Sequence, residues 1–505
     1  MSTPQPPKVE LADLSPLLLK KERATASFDV PLLIDVIHGS RDQQARRKHL
    51  LHLVINDPVL CDRDMISRNH KERYEKALEK SHAYAKLLET HHITDPDEQT
   101  YVYYAIGEPL PIDVHRSMFI PTLQNQMDDE QQAIWVPKAT SFQITGAYAQ
   151  TELGTHQLFL VLFRAFGCVH LLLLWLNSQP KLGHGSNVQG IETTAHYDKN
   201  TQEFVLNSPT LTSRKWWPGG LGKTANHCVL HARLLLDGKD RGVQAFLVPL
   251  RDTRTHETLP GITLGDIGPK IGFQSVDNGY VCTKDVLVQQ HGAFLLKCLH
   301  NRRAPPTTST PGLNLLEFLH VDAHSKCAAS HPSDVRRPDV LLRAFQVRAL
   351  ELLVRADAHS QSLHHLTQAS VAHAEWVVLS CFYAGVKDIK DGNLKLAMLQ
   401  LWQLYGLWRL QANLGEFRLA DHLSSTQGTW VQDQLLALLP LVRRNAVALV
   451  DGFGLSDFEL NSTIGRYDGD IYRALVARAA AEPLNQTDVV PGYHQWLQPL
   501  LSAKL

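Results

Sequence analysis

The sequence predicts an α+β multidomain chain, and three observations carry that prediction. Apolar residues recur at helical spacing through residues 1–140 and again through 339–505. Between them, from Phe142 to about Val288, the period shortens and Gly, Pro, Asn and Asp punctuate it. A Pro- and Thr-rich run, Pro305-Pro306-Thr307-Thr308-Ser309-Thr310-Pro311, then separates this middle part from the second helical part. With 505 residues, 44% of them apolar and 20% charged, the chain can bury cores in several domains.

In order, residues 1–140 read as a helical N-terminal domain. Phe28-Asp29-Val30-Pro31 opens a short helix bearing Leu32, Leu33, Val36 and Ile37. A second helix is expected from Arg41 to Ile55, and a third from Lys71 to Glu89 with Tyr74, Leu78, Tyr84 and Leu88 at helical spacing. None of these residues offers chemistry. Residues 141–295 read as a small antiparallel β domain, with strands at Glu203–Asn207, His227–Leu234, Val243–Leu250 and Tyr280–Val288. Residues 296–338 read as an irregular junction. Residues 339–505 read as a C-terminal helical domain, with helices over 340–357, 369–386 and 394–406 presenting Val377, Val378, Phe382, Leu401, Trp402, Leu404 and Tyr405.

Composition excludes several function classes. The formal net charge is −1, so no basic surplus points to nucleic acid or an anionic membrane. The 26 histidines are scattered without zinc-ligand spacing, and no metal is expected. Seven cysteines, an odd number without Cys-x-x-Cys, suit reduced thiols in an intracellular compartment. No apolar run that would make a signal peptide opens the chain.

The densest chemistry lies in Ser213-Arg214-Lys215-Trp216-Trp217-Pro218-Gly219-Gly220-Leu221-Gly222-Lys223-Thr224. Two tryptophans run into backbone that can turn sharply. The pairing suits a planar ring whose polar edge needs N–H donors, such as a flavin; the plainer alternative is a tight turn with two core tryptophans. Gly222-Lys223-Thr224 is not the end of a phosphate loop, because Trp217 stands where that loop needs glycine.

Flanking fragments settle the context. They are Tyr148-Ala149-Gln150-Thr151-Glu152-Leu153-Gly154, Gly190-Ile191-Glu192-Thr193-Thr194, Leu259-Pro260-Gly261-Ile262, Gly265-Asp266-Ile267-Gly268-Pro269-Lys270 and Asp277-Asn278-Gly279-Tyr280. In this order the set resembles the peroxisomal acyl-CoA oxidases, relatives of the acyl-CoA dehydrogenases. The resemblance implies FAD as cofactor, a fatty acyl-CoA and O2 as substrates, and trans-2-enoyl-CoA and hydrogen peroxide as products. It implies that Thr151 hydrogen-bonds the flavin ring and that Trp217 and Gly219 lie against it; read alone, Thr151 is a β-strand threonine. It also implies a homodimer formed through the C-terminal helical domain. The last three residues, Ala503-Lys504-Leu505, are close to the Ser-Lys-Leu address read by a peroxisomal import receptor.

Two departures from the family pattern bear on activity. Between Gly154 and His184-Gly185-Ser186-Asn187 stands an added stretch, 155–183, whose middle, Leu158–Leu176, is almost wholly apolar. It has the length of a membrane span, but Arg164 and His170 interrupt it. An arginine near mid-membrane costs about 2.5–3.5 kcal/mol, and a span here would divide the flavin motifs. A loop or helix packed on the β domain, or sequence foreign to the family, is expected instead. Second, the family's catalytic helical domain is expected to be largely missing after residue 300. Its Gly-Gly-His-Gly-Tyr run and the Phe/Tyr-Glu-Gly-Glu-Asn setting of its catalytic glutamate are both absent, and none of Glu317, Glu351, Glu375, Glu416, Glu459 and Glu482 is followed by glycine. No catalytic base can be named, so impaired or absent turnover is expected. The alternative is a non-catalytic relative acting as a dimer partner.

Overall fold

A computed structural model describes residues 11–153, 188–289, 317–322, 324–359, 363–489 and 491–502. The apolar insertion 155–183, much of the junction and the C-terminal tripeptide lie outside the described residues. The described residues form two compact units, one joining residues up to His49 with those from Pro306 onward, the other running from Leu50 to Pro305.

In the first unit, α1 (Leu11–Ala24) and α2 (Val30–His38) pack with C-terminal helices. Phe28 and Leu33 share a core with Ile389, Leu394, Ala397 and Ala448. Arg23 reaches Asp451 at 2.6 Å, and Arg443 reaches Glu22 at 2.6 Å. A helix at Pro338–Ala358, another at Leu363–Asp388 and a third at Gly392–Ala412 form the main bundle around Leu341, Phe345, Trp376, Leu379 and Trp402. A helix at Ser425–Arg443, which the sequence reading did not anticipate, starts from a capping box in which Ser424 and Gln427 satisfy each other's backbone N–H groups. Among the described residues, only His364–Asp388 is long and apolar enough to cross a membrane by length and composition. Its Ala372, Trp376 and Leu379 are buried in this bundle, and its Glu375 is ion-paired there.

Helix α3 (Arg41–Asn56) spans the division at His49, and in the second unit come α4 (His70–Thr90), α5 (Pro96–Ala105), α6 (Ile120–Gln126) and α7 (Asp129–Thr140). Helices α4 and α7 begin at capping boxes, Asn69 with Glu72 and Asp128 with Gln131. Among the described residues, nine strands come next: β1 (Gly146–Ala149), β2 (Thr194–Asp198), β3 (Glu203–Asn207), β4 (Lys215–Trp216), β5 (His227–Leu236), β6 (Lys239–Pro249), β7 (Ile262–Asp266), β8 (Gly279–Thr283) and β9 (Val286–Gln289). A six-stranded sheet is organised on β5, which pairs with β6 along one edge and with β1 and then β2 along the other. A three-stranded sheet has the order β4-β8-β7.

The sheets are not wholly antiparallel, as the sequence had suggested: β1 and β2 both run parallel to β5. The long connections from Ala149 and Asp198 to His227 supply the crossover that parallel pairing requires. The expected strand at 280–288 is two strands, broken where Asp285 takes φ +51°. Alternation along β5 and β6 builds two cores. Leu230, Ala232, Phe246 and Val248 join the interior of the β domain, while Val229, Ala245 and Leu247 pack on Phe119, Leu123, Met127 and Ala139 of the helical layer.

Three histidines in this unit are buried and neutral. His115 Nδ1 accepts the Gly146 N–H at 3.0 Å, so its Nε2–H donates to the Ala139 carbonyl at 3.0 Å. His227 Nδ1 bonds Asn226 Oδ1 at 2.9 Å, and the His231 ring packs on Tyr148. Burial pushes each of the three down to about 4. The unfolded chain protonates them near the usual histidine value, so between that value and about 4 it binds more protons than the fold does. Stability should therefore be flat above about pH 6.5 and fall as pH drops below it, by up to about 1.4 kcal/mol per pH unit for each group. Urea unfolding at about pH 7.5 and about pH 5 checks this, and an unchanged midpoint would contradict it.

Candidate functional site

The motif fragments at 150–153, 191–193 and 213–217 are far apart in sequence, and one buried carboxylate gathers them. Glu152, 1% exposed, meets Lys215 Nζ at 2.8 Å, and Lys215 is fully buried. The same carboxylate accepts the backbone N–H of Glu192 at 2.8 Å, that of Thr193 at 3.0 Å and the Thr193 hydroxyl at 2.5 Å. Thr193 Oγ1 also lies 3.0 Å from the Ser213 carbonyl. Burial pushes the Lys215 ammonium down, and the Glu152 carboxylate opposes that shift. Backbone pairing completes the joint. The Leu153 N–H donates to Arg214 O at 2.8 Å, and the Trp216 N–H donates to Thr151 O at 3.0 Å. Thr151 thus lies beside the tryptophan pair despite the interruption between them in sequence.

The tryptophan corner is strained and divided in character. Trp216 is partly buried and stacks on Tyr280, ring centroids 5.8 Å apart. Trp217 has φ +89°, a left-handed backbone unusual for so bulky a residue, and is 50% exposed. Its N–H donates to Gly279 O at 2.9 Å, the Gly279 N–H donates to Pro218 O at 3.0 Å, and Asn278 Nδ2 donates to the Trp217 carbonyl at 2.7 Å. The adjoining turn is held from inside by Asp277, whose carboxylate accepts the N–H groups of Lys223 at 2.6 Å and Thr224 at 2.8 Å and the Thr224 hydroxyl at 2.9 Å. Burial pushes the Asp277 carboxyl up, and those donors pull against it.

The glycines have different tasks. Gly220 takes φ +74°, and a Cβ there would meet Pro111 O at 2.9 Å. Gly219 is buried, and a Cβ on it would meet Val114 Cγ2 at 2.9 Å and Val276 Cγ1 at 3.3 Å. Its side-chain direction therefore faces protein. Of the three residues singled out in sequence, Thr151 and Trp217 sit on adjoining, partly exposed backbone, and Gly219 sits beneath the corner. Sequence reasoning gave no role to Glu152, Lys215 or Asn278. The only signal in the sequence was their place inside the motif fragments; what sets them apart is their burial and their partners.

Of the described glutamates after residue 300, Glu375 is buried and Glu351, Glu416 and Glu459 are partly buried, and each of these four has a partner. Glu375 pairs with Arg348 and Arg409, Glu416 accepts from Arg348 at 2.6 Å, Glu351 pairs with Arg355 at 2.9 Å, and Glu459 caps Ser456 at 2.8 Å. No group of three or more His, Cys, Asp or Glu among the described residues could hold a metal.

Breaking the buried pair tests the joint. Glu152→Gln leaves Lys215 buried without its counter-charge and should cost about 3–5 kcal/mol in urea unfolding. Adding Lys215→Met should recover part of that loss, because both charges are then gone. A Glu152→Gln protein within about 1 kcal/mol of wild type would contradict the assignment.

Comparison with known proteins accounts for these motifs. Residues 29–145 match the acyl-coenzyme A oxidase N-terminal domain, 181–286 the acyl-CoA dehydrogenase middle domain, and 337–502 the acyl-CoA oxidase family. Peroxisomal acyl-coenzyme A oxidase 1 of Cavia porcellus is 27% identical over 686 residues, covering 96% of this chain and 99% of the relative. That alignment is 181 positions longer than the 505-residue chain, so at least that many positions of the relative, in total, have no counterpart here. The solved acyl-CoA oxidase 1 of Arabidopsis thaliana superposes with a TM-score of 0.76 at 26% identity, covering 96% of this chain and 99% of that one. An acyl-CoA oxidase of tomato gives a TM-score of 0.77 at 25% identity, covering 96% and 99%. An acyl-CoA oxidase-1 of Caenorhabditis elegans, solved with FAD and ATP, shares the fold at TM-score 0.75 and 24% identity, covering 96% and 97%. By its motifs, its fold and its relatives, this chain belongs to the acyl-CoA oxidase family.

Proposed function

We propose that this chain is a peroxisomal, FAD-binding acyl-CoA oxidase whose flavin lies on the face made by Thr151 and Trp217, and whose turnover is impaired. The pairing of 151–153 with 214–216 carries the reading, because it holds Thr151 against the backbone of Trp216, one residue before the half-exposed Trp217. The residues fit a flavin. The Trp217 indole offers a flat apolar face, and Thr151 a hydroxyl that can bond a ring edge. FAD, when bound, supplies the hydride acceptor and the route of electrons to O2 that acyl-CoA oxidation requires. The protein's part is to bind the ring, exclude water on one side and orient the thioester. Gly219 acts beneath this face, letting the corner pack close to Val114 and Val276.

Proton removal from the acyl α-carbon needs a base within hydrogen-bond reach. Glu375 and Glu416 are held by arginines, and Glu459 caps a helix. The alignment's 181 extra positions leave room in the relatives for a domain that this chain lacks. Weak flavin retention and slow turnover are the consequence. The homodimer and the import receptor that reads Ala503-Lys504-Leu505 complete the proposal; relatives named as peroxisomal support the compartment.

The test is direct. Purified full-length chain should take up added FAD, and peroxide release with a medium-chain acyl-CoA should be far below that of an intact relative assayed alongside. Peroxide release equal to the relative's would overturn the impaired turnover, and failure to take up FAD would overturn the flavin site.

A further inference from the structure

We propose that Asn278 is the residue that positions the Trp217 indole, by clamping the strained backbone from which that side chain projects. The proposal rests on the flavin reading only for its consequence; the clamp itself is a matter of geometry. Trp217 is half exposed, so packing fixes its ring on one side at most. Where the indole points is then decided by its backbone, and that backbone is left-handed at φ +89°. A tryptophan relaxes out of this conformation unless its surroundings over-determine it.

Three hydrogen bonds do so. Two are backbone to backbone, from the Trp217 N–H to Gly279 O and from the Gly279 N–H to Pro218 O. The third is the 2.7 Å bond from Asn278 Nδ2 to the Trp217 carbonyl, and it alone comes from a side chain. Asn278 stands on a fixed platform. It is 5% exposed, its N–H donates to Val276 O at 3.0 Å, and its carbonyl accepts the Ile267 N–H at 2.9 Å. The Trp217 carbonyl can only accept, so the amide must turn Nδ2 towards it. The other end, Asn278 Oδ1, is then buried without a hydrogen-bond partner. A buried acceptor left unpaired is unfavourable, and a leucine of similar size would avoid it. An asparagine here makes sense where the donor to Trp217 outweighs that cost.

The experiment uses the full chain and two readouts. Nine tryptophans emit, so the Trp217 component is defined by difference against Trp217→Phe. In Asn278→Asp, which keeps the volume but replaces the donor with a carboxylate oxygen, that component should shift and its acrylamide quenching should change. Asn278→Ala should do the same. With FAD, each Asn278 variant should bind about tenfold more weakly, and combining Asn278→Asp with Trp217→Phe should weaken binding no further than the tryptophan change alone. Unchanged Trp217 emission and quenching in a folded Asn278→Asp protein would overturn the clamp, as would losses of FAD affinity that multiply in the double variant. The fluorescence readout needs no cofactor. It decides for Asn278 even where the wild-type protein takes up no FAD, a result that would sink the flavin reading alone.

Discussion

A single buried ion pair makes the rest of the β unit intelligible. Without Glu152, the three motif fragments at 150–153, 191–193 and 213–217 would have no common partner. A carboxylate buried to 1% exposure is tolerable only because a lysine ammonium, two backbone N–H groups and a hydroxyl all point at it. The arrangement is costly to break and hard to assemble in any other register. It fixes where Thr151 and the tryptophan corner lie, and every functional argument about this chain begins from that placement.

The corner itself separates two tasks that the sequence runs together. Glycines and Asp277 supply a tight, internally bonded turn, with Gly220 at positive φ and Gly219 against Val114 and Val276. Trp217 is the part left over, held in a conformation it would not choose and half open to solvent. The proposed flavin face would give a large ring at this place a use that the turn alone does not.

Much of this was legible in the residues. Strand β3 has the bounds read from its alternation, and α4 was legible from Tyr74, Leu78, Tyr84 and Leu88 at helical spacing. The parallel pairing of β1 and β2 with β5 was not, because alternation reports burial and says nothing of direction. The break at Asp285 was missed because one left-handed residue inside an apolar run leaves the period almost intact. Thr151 and Trp217 were singled out through their motifs, whereas Glu152 and Asn278 look like ordinary polar residues until burial and partners are known. Gly219 was assigned to the flavin ring through the resemblance, and the structure adds that a Cβ there would meet Val114 and Val276.

The chain thus shares nearly the full span of its acyl-CoA oxidase relatives over an alignment longer than itself, and the proposed flavin face is the part of the site that its described residues offer. The claim at the centre is that Thr151 and Trp217 present one face to one flavin. A crystal structure of the protein grown with FAD tests it most directly. The account predicts ring density against the Trp217 indole, with a polar ring atom about 3 Å from Thr151. Flavin bound elsewhere, with Thr151 and Trp217 left in solvent, would contradict it.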